Sequence, residues 1–384
     1  MNLLMITRKV DRDDSHAGHT YAWVRELARQ LGGRSNPLTR FEANHPLPAG
    51  RGVGGEGAMK QLGSLTVLCL QKGNVDALPD NVRIVSLGKE RGVGRIGRWL
   101  RFVWIAPGLV RKADAIFCHQ NPEYTIAVWP WAKLFRKRVV TWYTHGTVTW
   151  KTRAVARMAD VILTASAASF RVPSPKVVVT GHGIDLEQFA YQLRTQQSTF
   201  HIVSVGRISP TKDYETLIQA VALLRKLGAG EVAVSIIGEP GLPQQVAYQE
   251  SLKQLVVRQK LEDIVQFIGP VPNREVVRYY QTADAMVNLS RTGSVDKAVL
   301  EAMACGCLVV TSNPAFSGIV GSEWVIAPND PSALAGALRE LMAMDAATRQ
   351  TLGHQLRSVV ERDHNLTKLV GKIVAAAEGN GDVV

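Results

Sequence analysis

His201-Ile202-Val203-Ser204-Val205-Gly206-Arg207-Ile208-Ser209-Pro210-Thr211-Lys212-Asp213 is where this chain starts over. Its first five residues form the short, largely β-branched run expected of a buried parallel strand. The run ends in a glycine and then presents two cations, Arg207 and Lys212, five positions apart. Helical periodicity follows over 214–227. Strand patterns at 232–237, 265–268, 285–289 and 308–311 then alternate with helical patterns at 245–259, 273–280 and 297–304. The first half has already run such a series, with strands at 3–6, 65–70, 115–118 and 139–143 and a first helix at 21–31. Two successive series predict an α/β protein of two doubly wound, Rossmann-like domains. A length of 384 residues, too long for one compact core, agrees. The expected division is 1–186 and 200–360, with a polar linker at 186–199 and a closing helix and tail at 361–384. The Gly- and Pro-rich segment 33–64 does not fit and reads as an inserted flexible loop, because a helix-to-strand connection needs only a few residues.

The chemistry gathers in a second stretch, Thr292-Gly293-Ser294-Val295-Asp296-Lys297-Ala298-Val299-Leu300-Glu301-Ala302-Met303-Ala304-Cys305-Gly306, which reads as a loop turning into a helix. Thr292, Gly293 and Ser294 are expected to present free backbone N–H groups at the helix start, where the dipole favours an anion. Glu301, one to two turns further on, is placed to bind hydroxyl groups. An anion cradle, the cations Arg207 and Lys212, and this carboxylate together point to a sugar nucleotide. Plainer roles compete at each position. Arg207 and Lys212 also fit a solvated strand-end pair, Glu301 a helix acid complementing the dipole, Asp296 an N-cap, and His145 a turn histidine. His16 and His19 beside Gly18 read as cleft-rim or acceptor residues rather than metal ligands, and His182 reads as structural.

Taken in order, Val205-Gly206-Arg207 with Lys212, Phe267-Ile268-Gly269-Pro270-Val271 and Leu300-Glu301-Ala302-Met303-Ala304-Cys305-Gly306 resemble the retaining glycosyltransferase family 4, the glycosyl transferases group 1. Ala17-Gly18, Gly183-Ile184-Asp185 and Asp284-Ala285 support the match, which covers nearly the whole chain. The resemblance implies the GT-B architecture, in which the two domains face each other across a cleft. It also implies a metal-independent enzyme moving a sugar from a UDP or GDP donor to a lipid-linked or polysaccharide acceptor. The first domain would bind the acceptor and the second the donor. Arg207 and Lys212 would grip the donor diphosphate and neutralise the leaving group. Glu301 would hold the ribose. Phe267, Ile268 and Gly269 would frame the base through main-chain contacts, with Gly206 and Gly238 close by. Gly18 would let the first loop approach the phosphates, and His145 would face the donor sugar. The family usually carries a further Glu eight residues before Glu301, where this chain has Gly293. Asp296 and Lys297 would then take up contacts to the sugar and phosphate. A homologue that binds nucleotide sugars without turnover is the alternative.

The net charge of +12 asks for an anionic partner. Eight Lys or Arg fall between 83 and 112 against the single acid Glu90. There Ile96, Trp99, Leu100 and Val103 follow helical spacing, with Arg95, Arg98 and Arg101 on the opposite side. A second cluster joins Trp129 and Trp131 to Arg136, Lys137 and Arg138. Two readings fit: attachment to an anionic membrane surface, or a core-facing helix with a cationic back. Nucleic-acid binding is the least favoured partner class, for want of a recognisable reading module. No apolar run reaches the roughly 18–20 residues that span a bilayer. The start, Met1 to Arg8, reads as a strand rather than a signal peptide. Cys69, Cys118, Cys305 and Cys307 read as buried free thiols, so a cytoplasmic protein is expected, peripheral on the membrane if the first reading of the basic clusters holds.

Overall fold

The computed structural model describes residues 1–15, 18–33, 63–194, 198–291 and 293–379. The loop expected over 33–64 lies almost wholly outside the described residues, and so does Thr292. The first sheet is built from β1 (Asn2–Val10), β2 (Ser64–Lys72), β3 (Val82–Ser86), β4 (Ala115–His119), β5 (Arg138–Trp142), β6 (Val161–Thr164) and β7 (Val177–Val179), all parallel, in the order β3-β2-β1-β4-β5-β6-β7. Alternation explains why Leu3 to Ile6 of β1 is apolar without a break. Leu3 and Met5 pack on the face covered by α1 (Gly18–Leu31), and Leu4 and Ile6 on the face covered by α2 (Arg95–Lys112) and α3 (Pro122–Leu134). A further helix, α4 (Trp150–Met158), packs beside α3. All four cysteines are buried and free.

The second sheet holds β8 (Phe200–Val205), β9 (Val232–Ile237), β10 (Val265–Gly269), β11 (Ala285–Asn288) and β12 (Leu308–Thr311), parallel, in the order β10-β9-β8-β11-β12. Its helices are α5 (Tyr214–Lys226), α6 (Gln244–Arg258), α7 (Asn273–Thr282), α8 (Lys297–Ala304), α9 (Pro331–Ala343) and α10 (Ala346–Asp363). Strand order reverses between β1 and β4 in one sheet and between β8 and β11 in the other. The crevice outside the carboxyl ends of strands at such a reversal is where open α/β sheets bind ligands.

Two crossings join the domains, lying side by side. Ile184 N–H donates to the His364 carbonyl (2.7 Å), and Leu366 N–H donates to the Ile184 carbonyl (3.0 Å). Gly181 has a φ of +72°, and a Cβ there would lie 1.7 Å from the Asp363 carbonyl oxygen, so only glycine lets the two crossings pass. The helix α10 continues through 361 to Asp363, which puts the return crossing at His364 and Asn365 rather than at 361. The final helix, α11 (Leu366–Glu378), then packs against α1, and Leu366, Leu369, Val370 and Ile373 complete the first domain's core.

Ile373 is fully buried in that core. Ile373→Ala is expected to cost about 2–5 kcal/mol, read as a lower urea midpoint. An unchanged midpoint would mean that the last helix is not part of the domain it covers.

Candidate functional site

A cleft of about 360 Å³ lies at the strand reversals, lined by Ser15 and His19 from the first domain and mainly by strand ends and α8 from the second. Its floor is backbone. Gly206 N–H donates to the Ile237 carbonyl (3.0 Å), and Gly238 N–H to the Gly269 carbonyl (2.9 Å). Gly238 has a φ of +139°, and a Cβ there would meet the Gly206 carbonyl oxygen at 1.9 Å. No other residue fits between these strand ends. Beyond Gly206 the chain makes a tight turn at Pro210–Lys212 that ends on Asp213 at a φ of +50°. Asp213 is fixed there, accepting from the Thr216 hydroxyl (2.9 Å) and pairing with Arg291 (3.3 Å). The turn sends the Lys212 stem back across Gly206 into the cleft, passing 3.1 Å from where a Cβ would stand.

The Lys212 ammonium ends on the Asp296 carboxylate at 2.5 Å, and Asn288 Nδ2 donates to the same oxygen at 3.0 Å. Asp296 occupies the N-cap position of α8, yet its side chain does not cap the helix. Lys297 and Ala298, the first residues of α8, line the cleft. The anion-facing helix start is therefore at 297–298. Gly293 and Ser294 lie outside the cleft lining, and the Ser294 carbonyl accepts instead from Asn313 (2.8 Å). Burial pushes the Lys297 ammonium down to about 8, against the pull of Glu301 and Asp185. Glu301 is 5% exposed. Tyr280 and Asn273 each donate to its carboxylate at 3.4 Å, and burial raises its pKa. Arg207 is exposed on the cleft wall and makes no ion pair among the described residues.

Other expected site residues are placed differently. The side chains of Phe267, Ile268 and Val271 pack towards the second core, and Pro270 and Val271 also line the cleft. Gly18 opens α1, and a Cβ there would meet Asn273 Cβ at 2.9 Å, so the glycine permits close contact between the domains. His145 is exposed, stacks edge-on against Tyr143 and does not line the cleft. The imidazoles nearer the cleft are His19, with Gln120 Nε2 at 3.2 Å, the buried His119 and the half-buried His182. Burial, helped by the charge of Lys297, pushes His119 and His182 down to about 3, so both are neutral. His182 Nε2 then donates to the Val295 carbonyl across the hinge (3.1 Å). Asn273, Asn288, Tyr280 and His119 carried no motif. Only the rule of strand reversal, applied to the end of β4, would have singled out His119. Among the described residues no cluster of three or more His, Cys, Asp or Glu could hold a metal ion.

Residues 199–344 match the family described as Glycosyl transferases group 1. The amylovoran biosynthesis glycosyltransferase AmsK of Erwinia amylovora is 33% identical over 187 residues, which are 45% of this chain and 44% of that protein. A D-inositol 3-phosphate glycosyltransferase of Kineococcus radiotolerans is 30% identical over 204 residues, 46% of each chain. The chain spans about half the length of the curated relatives it matches. Among solved structures, HepE of Anabaena in complex with UDP superposes with a TM-score of 0.71 at 15% identity, over 99% of this chain and 100% of that one. Sucrose-phosphate synthase of Thermosynechococcus elongatus gives 0.67 at 19%, over 99% and 100%. These likenesses show the fold: two Rossmann-like domains in the GT-B arrangement.

The depressed Lys297 makes a signed prediction. Between about pH 8 and its ordinary 10.5 the unfolded chain holds this proton and the folded chain sheds it, so stability rises with pH in that window. Lys297→Met removes the charge. Its Tm should exceed the parent's below pH 8, and the difference should shrink towards pH 10.5. A difference independent of pH would mean that Lys297 is not depressed.

Proposed function

We propose that this chain, whose residues 199–344 belong to the glycosyl transferases group 1 within a GT-B fold, is a glycosyltransferase that uses a nucleoside-diphosphate sugar. One observation carries the reading: cations and a hydroxyl-binding carboxylate meet on one wall of a cleft at the strand reversals of both sheets. Arg207 meets the diphosphate from the exposed side, Glu301 takes ribose hydroxyls, and the Pro270–Val271 turn flanks the base. HepE has been solved with UDP and with UDP-glucose, which makes UDP the first donor base to test.

The reaction proceeds with retention and without a metal ion. Among retaining routes a covalent intermediate is disfavoured, because Asp296 is held by Lys212 and Asn288 and Glu301 is committed to the ribose. A covalent nucleophile would need a carboxylate free to attack. The acceptor hydroxyl instead attacks the anomeric carbon from the face of the departing diphosphate. Its oxygen forms the new bond, the bond to phosphate breaks, and the proton passes to the leaving phosphate oxygen. The named relative AmsK, of amylovoran biosynthesis, favours a glycan or lipid-linked acceptor.

The acceptor side docks on an anionic membrane. The helix α2 turns Phe102, Ala106 and Val110 to the core and leaves Ile96, Trp99, Leu100 and Trp104 at 77%, 61%, 58% and 85% exposed. That apolar stripe is thus not the core-facing side of the helix, and the exposed Arg95 and Arg101 flank it. Trp131 packs partly against the core, so the second cluster contributes the exposed Arg136 more than its aromatic rings. Because α2 follows β3, its first turns lie at the carboxyl edge of the sheet, the edge that faces the cleft.

Two measurements test these assignments. A thermal-shift panel of UDP, GDP, ADP and their sugar conjugates should raise Tm for one base, since a ligand of the folded state stabilises by mass action. Arg207→Ala should abolish most of that shift with the fold intact. Binding without any turnover or donor hydrolysis would instead favour the inactive homologue, for which Gly293 in place of Glu argues. Co-sedimentation with vesicles containing anionic lipid should fall with salt and with Trp99→Ala/Trp104→Ala. Equal partitioning onto neutral vesicles would overturn the docking face.

A further inference from the structure

A second cavity, of about 250 Å³, belongs to the second domain alone. Leu308, the first residue of β12, and Asp284, just before β11, contribute to its wall. It therefore lies at the amino edge of the sheet, whereas the cleft lies at the carboxyl edge. The linker adds Tyr191 and Arg194, and α10 adds Arg349. None of these residues lines the cleft. Two guanidinium groups thus share one cavity, and neither is fully partnered. The Arg349 side chain is 17% exposed, yet it makes no hydrogen bond among the described residues, and its ion pair with Asp284 is long, at 3.6 Å. The other Asp284 oxygen accepts from the His201 N–H at 2.9 Å. Arg194 directs its terminal nitrogens to the carbonyl oxygens of Gly306 (2.6 Å) and Tyr280 (3.0 Å), and it pairs with no carboxylate among the described residues. Its Nε–H is buried without a partner.

A guanidinium stays charged and offers several donors, and buried donors call for an acceptor. Here Asp284 is one carboxylate against two guanidinium groups, so the cavity keeps an excess of positive charge. An oxyanion answers both groups at once through charge-assisted hydrogen bonds. A phosphate suits the pair better than a carboxylate, whose two oxygens a single guanidinium fork already fills. The rest of the wall is apolar. The Tyr191 ring stacks on His354 with centroids 4.2 Å apart, and Gly306 makes room for it, since a Cβ there would lie 2.4 Å from the ring. With Leu308 this ring gives a small carbon skeleton a surface to lie on. The volume falls below the roughly 300–1,000 Å³ of sites for larger ligands, which limits the skeleton to a single sugar or polyol.

We propose that this cavity is a second anion site, which binds a small phosphate ester between Arg194 and Arg349. It stands apart from the donor cleft and does not rest on the glycosyltransferase reading. Its position gives it leverage on the cleft all the same. Arg194 holds the carboxyl ends of α7 and α8, and those helices carry Asn273, Lys297 and Glu301 to the cleft at their other ends. A phosphate on Arg194 and Arg349 ties the linker and α10 to the same two helices.

Calorimetric titration with inorganic phosphate and with glycerol phosphate tests the site, at constant ionic strength and with glycerol as the uncharged control. The parent should bind both phosphates and not glycerol. Arg349→Gln should raise Kd about tenfold or more, the loss of one charge-assisted contact. Asp284→Asn keeps an oxygen for the His201 N–H but removes the competing charge, so it should lower Kd. A gain in affinity cannot come from a damaged fold, which keeps this arm informative if Arg349→Gln folds poorly. Arg207→Ala, a change in the cleft, should leave this binding in place. Phosphate binding that is lost in Arg207→Ala yet unchanged in Arg349→Gln would put the anion in the cleft and overturn the second site. Binding of glycerol phosphate no tighter than that of glycerol would overturn it as well.

Discussion

Everything at the cleft depends on how two short crossings hold the domains. The hydrogen bonds between Ile184 and the 364–366 segment form a ladder only a few residues long, and Gly181 makes room for it. Around it sit three further ties. Arg25 of α1 pairs with the buried Asp185 at 2.5 Å, Gln188 donates to Asn273 at 3.1 Å, and Asn273 closes against Gly18. Asn273 also donates to Glu301, so the residue that spaces the domains touches the carboxylate that would hold the ribose. Domain motions in such proteins are absorbed by a few residues at element ends. Here those residues are bonded directly to the site.

The electrostatics of the cleft follow from which charges are satisfied internally. Asp213, Asp296 and Lys212 are spent on one another and on neighbours, and they fix loop geometry. Arg207, Lys297 and the weakly held Glu301 are left with capacity for a ligand. Sites commonly carry such unbalanced charge at some expense in stability. The neutral imidazoles of His119 and His182 beside Lys297 are the other face of that imbalance, for a second positive charge there would be strongly opposed.

Much of the fold was legible because its central strands are short apolar runs. β1, β4 and β8 to β12 fall where periodicity placed them. The strands β3 and β7 lie at sheet edges, where half-exposed residues dilute the pattern. Arg207, Lys212, Gly238, Lys297 and Glu301 could be singled out from motif and spacing, and they do converge on the cleft. What spacing could not supply was partnership. Nothing in the order of residues says that Asp296 grips Lys212 rather than capping its helix, or that Asn273 meets Gly18 and Glu301 at once. His145 follows its strand as a motif would have it, yet the loop carries it to the surface. Such outcomes are decided by contacts between segments far apart in sequence.

The placement of α11 bears on how this protein is made. The core beneath α1 is closed by Leu366, Leu369, Val370 and Ile373, which leave the ribosome after the whole second domain. At synthesis rates of about 5–20 residues per second the first domain waits tens of seconds with that apolar face uncovered. The second domain, whose core is continuous from Ile184 to Val360, faces no such delay. The domain that is translated first is thus the one that finishes last, and the nascent chain needs shielding from association until its final helix arrives.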